Sequence, residues 1–448
     1  MWIPLITLIS IIQTTFALSS HIIQLHSGQS FGEISQQGSG SDSSSGLFDF
    51  LKPNENNTIE IGDFKALIAE FEEDLLENLK KIPFINQIFP NSEFKLFDVQ
   101  ADRYSEGLEK RYRILERSRS PSTFYKRDDG ITIQEDAPRH LARLSQREGI
   151  FNESGPFEYR YKETGKDITV YVVDSGISTE HPDFEGRATL GKNIAGGGSQ
   201  NKSSDLTGHG TNVAGIIGSK TYGVAKEAKL IDVKVIGAYG TTSISSILRG
   251  IEWANNDRKS KNLTAVANLS LGGPQSDALD QAVQAAFNDG LAIVAAAGNS
   301  NANATDYSPA RLDDIITVGA LDDFTDTIAP FSNYGSPVDI FASGVKVESL
   351  NNNITGPPSE FYGTSQAAPS ITGIVALLLE QGVSKDDLKD RLIELSTKNA
   401  ISEETYEENQ IYDNTVNRVG YNGVEDTDDE IDNPSTKKPN LSLLRYVS

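Results

Sequence analysis

The sequence of 448 residues contains no cysteine, one methionine and only five histidines. Without cysteine the chain has no disulfide bond, no thiol nucleophile and no thiolate metal site. Stability must therefore come from a large packed core, which a domain of about 290 residues can bury. Zinc chemistry needs clustered histidines and acids, and the nearest candidate, His181-Pro182-Asp183, is better interpreted as a loop.

Basic residues and long apolar runs are also scarce. The 63 acidic and 40 basic residues leave a formal charge of −23, which disfavours nucleic acid and anionic membranes as partners. Residues 2–12 are apolar but too few to span a bilayer, and they precede Thr15-Phe16-Ala17, a pattern typical of signal cleavage. We predict a signal peptide at residues 1–17 and no membrane span, with a buried N-terminal helix as the alternative.

Potential N-glycosylation sites agree with a secretory route, which ends outside the cell, in a cell or spore wall, or in a vacuole. Asn268 also begins such a sequon, but we expect it to be buried and unmodified. The other predicted acceptors are Asn56, Asn152, Asn201, Asn262, Asn303, Asn353 and Asn440.

Three short segments carry candidate catalytic side chains in the chain order aspartate, histidine, serine. Asp174 ends the apolar run 168–173, His209 lies within Gly-His-Gly-Thr, and Ser365 follows Gly-Thr. A serine hydroxyl becomes a nucleophile when an imidazole takes its proton and a buried carboxylate holds that imidazole. Taken singly, these residues are ordinarily turn, structural or capping groups. Together and in this order, they predict acyl-transfer chemistry.

These three contexts resemble the subtilisin family, and best its fungal proteinase K and cerevisin branch. The order Asp, His, Ser is the subtilisin solution to this geometry. The resemblance implies a serine endopeptidase that cleaves polypeptides through an acyl-enzyme, needs no cofactor for the chemistry and acts as a monomer. It also implies that the chain's own propeptide serves as an inhibitor, which gives it a high effective concentration.

The pattern of strands and helices agrees with that family. Apolar runs at 168–173, 230–236, 264–271 and 291–297 alternate with helical patterns at 243–255, 276–289 and 367–381. This alternation predicts the α/β class, with a mostly parallel sheet flanked by helices on both faces and a small α+β propeptide before it.

An oxyanion donor and a substrate cleft are also implied by the resemblance. Residues 293–299 are predicted to be a buried strand ending in Gly-Asn, so Asn299 is the candidate donor beside the Ser365 N–H, with a turn role as the alternative. The segments 268–273 and 296–298 resemble the walls of the primary pocket and carry no charge, which indicates an apolar or aromatic preference. The substrate-binding candidates are Ser270, Leu271, Gly272, Ala297, Gly298 and, from a weaker match, Gly240.

We predict four regions along the chain: the signal peptide 1–17, an inhibitory propeptide 18–127, a catalytic domain 128–423 and an acidic, disordered tail 424–448. Within the propeptide we predict strands at 22–25, 59–61 and 84–89 and an amphipathic helix at 64–79, around a Gly/Ser-rich insertion. The dibasic pair Lys126-Arg127 indicates maturation near residue 128.

One motif matches a catalytic pattern of an unrelated enzyme class but lacks the structural context of that class. Gly-Gln-Ser-Phe-Gly at 28–32 fits the nucleophile elbow of α/β-hydrolases, but the Gly/Ser-rich sequence after it argues against the supporting helix, so we interpret it as a loop.

The sequence departs from the family at two positions. Gln366 follows the nucleophile where most members have Met, and Asn212 replaces the second His of Gly-His-Gly-Thr-His. These departures support one rival hypothesis, a catalytically silent subtilase-fold glycoprotein of the cell or spore wall. A protease with strict basic specificity would need acids in the pocket walls, and none is found there.

The resemblance further implies a possible structural calcium. Asp339 matches a calcium carboxylate of proteinase K, and backbone carbonyls near residues 313–315 are the candidate co-ligands. The alternative is that Asp339 caps a turn.

Overall fold

The computed structural model describes residues 18–37, 51–96, 122–150, 155–196, 205–408 and 410–424. The predicted signal peptide, the acidic tail after Val424 and the sequons at Asn152, Asn201 and Asn440 lie outside the described residues. The chain divides into two compact units, Met1–Asn91 and Ser92–Ser448.

The first unit is built on a four-stranded antiparallel sheet in the order β2-β3-β1-β4. Ile23, Leu67 and Phe71 lie in the core between this sheet and the short helices. The elements are β1 Ser19–Leu25, α1 Phe31–Gln37, β2 Thr58–Ile61, β3 Phe64–Phe71, a 3₁₀ turn Glu73–Leu75, α2 Leu76–Leu79 and β4 Ile85–Pro90.

Two local predictions in this unit are wrong. The predicted helix 64–79 is strand β3 followed by two short helical turns, because Leu67, Ala69 and Phe71 face the core while β1 and β2 pair with both edges of the strand. The motif at 28–32 leads into α1, which begins at its Phe31, rather than into a longer loop. Ser30 caps that helix in a reciprocal capping box, its Oγ accepting the Glu33 N–H at 3.2 Å and its N–H donating to the Glu33 carboxylate at 3.1 Å.

The second unit contains the remaining elements. Its helices are α3 Arg139–Leu144, α4 His209–Gly218, α5 Ile244–Lys261, α6 Asp277–Asn288, α7 Thr364–Glu380, α8 Leu388–Leu395 and α9 Glu403–Glu408. Its strands are β5 Glu93–Lys95, β6 Phe124–Lys126, β7 Thr132–Gln134, β8 Tyr159–Tyr161, β9 Thr169–Asp174, β10 Ala188–Asn193, β11 Lys229–Lys234, β12 Thr241–Ser243, β13 Ala265–Leu269, β14 Gly273–Pro274, β15 Ala292–Ala296, β16 Tyr307–Ser308, β17 Ile316–Asp322, β18 Thr327–Ile328, β19 Ile340–Ser343, β20 Val347–Ser349, β21 Ser359–Phe361, β22 Thr397–Lys398 and β23 Arg418–Val419.

The central sheet of this unit confirms the predicted α/β class. Its strands follow the order β10-β11-β9-β13-β15-β17-β19-β23-β22, and all neighbours are parallel except β22 with β23 and the added β18. The direction of winding reverses at β9, and open α/β sheets bind ligands at the carboxyl ends of strands where this reversal occurs. Asp174 is the last residue of β9.

Helices cover both faces of that sheet, as the alternating side chains of β9 show. Val172 lies in the core cluster that contains residues of α4 and α7. Tyr171 points the other way and donates its hydroxyl to Asp257 of α5 at 2.9 Å. Helix α7 is buried along its whole length except Glu380. Because a strand alternates its side chains with a period of two, a sheet covered on both faces needs continuous apolar strands.

The border between the units lies ahead of the predicted propeptide border. The last 36 residues of the predicted propeptide, 92–127, belong to the second unit. Strand β6 pairs with β7, and β7 pairs with β8, in a three-stranded antiparallel sheet of that unit. Among the described residues, no helix combines the length and apolarity needed to cross a membrane.

Candidate active site

Asp174 and His209 meet at the carboxyl end of β9. The imidazole Nδ1 lies 2.8 Å from Asp174 Oδ1, and the carboxylate is fully buried. The same Oδ1 accepts the Ser175 N–H at 2.7 Å. A buried carboxylate that accepts two hydrogen bonds holds the imidazole ring in one orientation, with the proton on Nδ1 and Nε2 left as the acceptor.

Helix α4 begins at His209 because the turn before it is held by Asp205. This buried carboxylate accepts the N–H groups of Gly208 and Thr211, each at 2.9 Å, and the Ser175 hydroxyl at 2.9 Å. A side chain at Gly210 would collide with the Gly176 carbonyl oxygen, which explains the second glycine of Gly-His-Gly. Sequence reasoning missed Asp205, although an aspartate placed a few residues before a predicted helix is a recognised capping signal.

Ser365 lies in the first turn of α7, fully buried, and its hydroxyl donates to the Ser270 carbonyl at 3.1 Å. Ser270 in turn donates its own hydroxyl to the Ser365 carbonyl at 2.9 Å. The preceding Gly363 has φ of 149°, and a Cβ there would approach Asn299 Nδ2 to 2.8 Å. Helix α7 packs directly against α4, the helix that begins at His209.

Asn299 is fixed by the turn that carries Ser365. Its Oδ1 accepts the Thr364 N–H at 2.8 Å and the Thr364 hydroxyl at 2.9 Å. Since an N–H can only be accepted by the amide oxygen, the NH₂ group is left beside Gly363 and the start of α7. The Gly298 N–H donates to Thr364 Oγ1 at 3.1 Å, which joins the end of the β15 segment to the same turn.

The predicted cleft edges hold an extended segment of the second unit. Strand β5 pairs antiparallel with β12, the N–H of Leu96 donates to the Gly240 carbonyl at 2.9 Å, and Leu96 bridges Leu271 on its other side. Phe94 is buried, and its ring lies 2.9 Å from the point where a Cβ of Gly273 would stand. A strand that adds to both edges uses the same mode as peptide recognition by β-augmentation. Sequence reasoning did not predict β5.

The remaining wall candidates are buried at the places expected of them. Leu271, Gly272, Ala297 and Gly298 have little or no exposed surface. Asn268 is fully buried as predicted, since its Nδ2 donates to Ser270 Oγ at 2.9 Å and its Oδ1 accepts the Thr372 hydroxyl at 2.8 Å.

Comparison with known proteins identifies the family. The model of the Subtilase family matches residues 165–421, more than half of the chain. The chain belongs to the Subtilase family. It is a subtilisin-type serine endopeptidase, and the predicted family, fold class and enzyme class are confirmed.

This subtilase is similar to several fungal proteins. It is 36% identical to subtilase-type proteinase RRT12 of Saccharomyces cerevisiae over 397 residues, which cover 86% of this chain and 79% of the relative. It is 40% identical to proteinase T of Parengyodontium album over 284 residues, 62% of this chain and 93% of that protein. A crystal structure of a cold adapted subtilisin-like serine proteinase matches with a TM-score of 0.58 and 35% identity, covering 65% of this chain and all of the other.

The two departures of this subtilase from its family contact each other. Gln366 Nε2 lies 3.5 Å from Asn212 Oδ1, and Asn212 Nδ2 donates to the Ser359 carbonyl at 3.3 Å. Gln366 follows Ser365 on α7, and Asn212 lies one turn after His209 on α4. The substitutions therefore form one amide pair between the two helices behind the candidate triad.

Calcium does not fit the residues that the sequence assigned to it. The Asp339 carboxylate is paired with the Lys389 ammonium at 2.8 Å, and the carbonyls of Asp313 and Ile315, which lie in the predicted co-ligand segment, also accept from this ammonium. The described residues contain no cluster of three or more His, Asp or Glu side chains able to hold a metal. The oxygens that the prediction assigned to calcium therefore hold the Lys389 ammonium in this structure.

Proposed function

We propose that this subtilase hydrolyses peptide bonds through Ser365 as nucleophile, His209 as general base and Asp174 as the carboxylate that orients the imidazole. The 2.8 Å contact between Asp174 Oδ1 and His209 Nδ1 is the observation that carries the proposal. With Nδ1 protonated and held, Nε2 is the atom that accepts the serine proton. The Ser365 hydroxyl, which donates to the Ser270 carbonyl, must turn toward the imidazole before it can give up its proton.

The reaction then follows from the positions of donors. The Ser365 oxygen bonds to the substrate carbonyl carbon while its proton moves to His209 Nε2. The resulting oxyanion accepts from the Ser365 N–H and Asn299 Nδ2, both at the N-terminal turn of α7, where the helix dipole favours negative charge. His209 returns the proton to the leaving amine, and water then hydrolyses the acyl-enzyme by the same steps in reverse.

We further propose a preference for apolar or aromatic side chains at the primary pocket. The segments that form its proposed walls, 268–273 and 296–298, contain no charged residue and are buried. Small residues at Gly272, Ala297 and Gly298 leave room for a large side chain, and Asn268 is turned away into its own hydrogen bonds.

The chain is proposed to be made as a zymogen on the secretory route, with the region after the signal peptide acting as an inhibitory propeptide. Strand β5 supports this proposal, because it lies along the same edge of β12 that an extended substrate would use. A segment covalently attached to the enzyme competes with substrate at a high effective concentration.

Labelling with an active-site serine phosphonate tests the enzyme assignment. The processed protein is expected to be labelled and to degrade an unfolded protein, and both signals should vanish in Ser365→Ala. Thr364→Ser serves as the matched control, since it keeps the hydroxyl that Asn299 and Gly298 contact. A processed wild-type chain that takes no label supports instead the catalytically silent wall glycoprotein suggested by Gln366 and Asn212.

A further inference from the structure

The ammonium of Lys389 lies among the oxygen atoms that the family resemblance assigned to calcium. Its Nζ is 2.8 Å from Asp339 Oδ1 and donates to the carbonyl oxygens of Asp313 at 2.6 Å and Ile315 at 3.0 Å. The second carboxylate oxygen of Asp339 accepts the Thr317 N–H at 2.9 Å. The side chains of Asp339 and Lys389 are 13% and 29% exposed.

These contacts use the whole hydrogen-bonding capacity of the lysine. An ammonium has three N–H donors, and three oxygens accept them. Calcium takes oxygen ligands at about 2.3–2.6 Å and wants about six to eight of them. An ion bound to these same oxygens would stand where the ammonium stands, so the site holds one cation or the other.

We infer that Lys389 is a built-in replacement for a structural calcium ion, and that this protease orders the loop before β17 without the metal. The positive charge satisfies Asp339 and ties it to two backbone carbonyls of the segment 313–315. Because the cation is covalently part of α8, chelators cannot remove it.

The tied segment connects this position to the cleft. It joins β16 to β17, and the carbonyl of Ala310 in this connection accepts the hydroxyl of Thr317 of β17 at 2.8 Å. Strand β16 pairs with β14, whose Gly273 lies against Phe94 at the cleft edge. Loss of the lysine is therefore expected to loosen a wall of the cleft as well as the loop.

Thermal unfolding of full-length chains in a Ser365→Ala background, which prevents self-digestion, tests the inference. The unfolding midpoint with Lys389 present should be the same in calcium and in a chelator. Lys389→Ala frees three oxygens and leaves space for an ion and its waters. Its midpoint should fall by several degrees in chelator and recover with calcium but not with magnesium, which demands a smaller octahedral site. Titration calorimetry should detect calcium binding that appears only with Lys389→Ala.

Two controls make the outcomes decisive. Lys389→Ala with Asp339→Asn should lose the calcium rescue, which assigns the rescue to this site. Lys261→Ala removes an exposed lysine paired with Asp257 and should leave the midpoint insensitive to calcium. Calcium stabilisation of the chain that keeps Lys389, abolished by Asp339→Asn, overturns the inference. An unfolding midpoint of Lys389→Ala that is unchanged and does not respond to calcium also overturns the inference. If Lys389→Ala does not accumulate, the calcium response of the chain that keeps Lys389, with and without Asp339→Asn, decides alone.

Discussion

Asn299 has one amide oxygen and one amide nitrogen, and the structure commits the oxygen to the turn that carries Ser365. The orientation of the amide is therefore set by the backbone N–H of Thr364, which only an acceptor can satisfy. An oxyanion donor held in this way, the role proposed for Asn299, needs no reorganisation when the oxyanion forms, and such preorganisation is the source of its effect.

Asn299→Asp separates the two roles of this residue. The carboxylate keeps an oxygen for the Thr364 N–H but loses the NH₂ donor, so we expect kcat to fall by at least about 10²–10³ with little change in the unfolding midpoint. KM should change much less than kcat, because the donor acts on the transition state. Steady-state kinetics on a peptide amide, with phosphonate labelling as a check on folding, measure both. A variant that retains near wild-type kcat contradicts the assigned role.

The side-chain amide of Gln366 is expected to lower the stability of the folded chain. Its Oε1 is buried and has no hydrogen-bond partner among the described residues, while its Nε2 contact with Asn212 is a long 3.5 Å. An unsatisfied buried oxygen costs about 1–3 kcal/mol, more than a long contact returns.

Gln366→Met is therefore expected to raise the free energy of unfolding by about 1 kcal/mol, because it removes the buried oxygen and keeps the side-chain volume. Denaturant unfolding in the Ser365→Ala background measures the change. Gln366→Ala should destabilise instead, since it leaves a cavity between α4 and α7. If Met also destabilises, the amide pair contributes more than its geometry indicates.

Among the elements of the second unit, several were predictable because β9, β13 and β15 are largely apolar and because α5 and α6 begin after serine N-caps. The sequence located β9, β11, β13 and β15 to within a few residues, and the helix after Ser243 begins where that serine accepts the Ser246 N–H at 3.2 Å. Residues 64–71 were not predictable in the same way. Leu67, Phe71 and Leu75 fit a helical spacing, and only pairing with the distant strand β1 and with the neighbouring hairpin strand β2 selects β3.

In the candidate site, too, residues that act through long-range contacts could not be predicted from local sequence. Asp174, His209 and Ser365 follow from short motifs, and Asp205 has a local capping signal that was overlooked, whereas Lys389 and the strand β5 act through contacts with residues far away in sequence. A lone lysine or a three-residue strand has no local signal strong enough to reveal such contacts.

Strand β5 also leads to a prediction about maturation that differs from the dibasic site at 126–127. Leu96 bridges Leu271, and Ser270 beside it accepts the Ser365 hydroxyl. We expect a substrate strand in this register to present to Ser365 the carbonyl of the residue that follows the Leu96 position. In this sequence that residue is Phe97, an aromatic side chain of the kind proposed for the primary pocket.

We therefore expect the first cut between residues 97 and 98. N-terminal sequencing of the active protein should find Asp98, and Phe94→Asp should cause uncut precursor to accumulate, since a charge would be buried against Gly273. Lys126→Ala with Arg127→Ala is the control and should leave the first cut unchanged, because these residues border the β6–β7 hairpin of the catalytic unit. A first cut after Arg127 in the wild type, lost in this control, contradicts the expectation.

Considered as a whole, the protein uses buried charged groups where many secreted proteins use disulfide bonds. It has no disulfide, yet Lys226 ties a loop together from inside: its Nζ donates to the carbonyls of Lys220 and Gly223, each at 2.9 Å. Three aromatic rings surround this ammonium at 5.3 to 5.7 Å, those of Tyr159, Tyr161 and Phe124. Cation–π contacts and carbonyls favour the charged form, but burial opposes it.

Burial lowers the pKa of Lys226 from 10.5 to about 7, with Asp183 and Glu185 raising it and Arg187 lowering it further. Between these two pKa values the unfolded chain holds a proton that the folded chain has released, so stability should rise with pH across this window and reach its full value above 10.5. The gain is on the order of a few kcal/mol.

Lys226→Met isolates this effect from the titration of the other charges. In the Ser365→Ala background, the free energy of unfolding of the chain with Lys226 should increase from pH 7 toward pH 10 relative to the Met variant, by denaturant unfolding at each pH. Lys229→Met, which removes an exposed lysine near Asp167, is the matched control and should give a parallel curve. If the free energy of unfolding of Lys226→Met also changes with pH in parallel with that of the chain that keeps Lys226, the carbonyls and rings keep the ammonium charged through this pH range. Burial would then lower the pKa of Lys226 little.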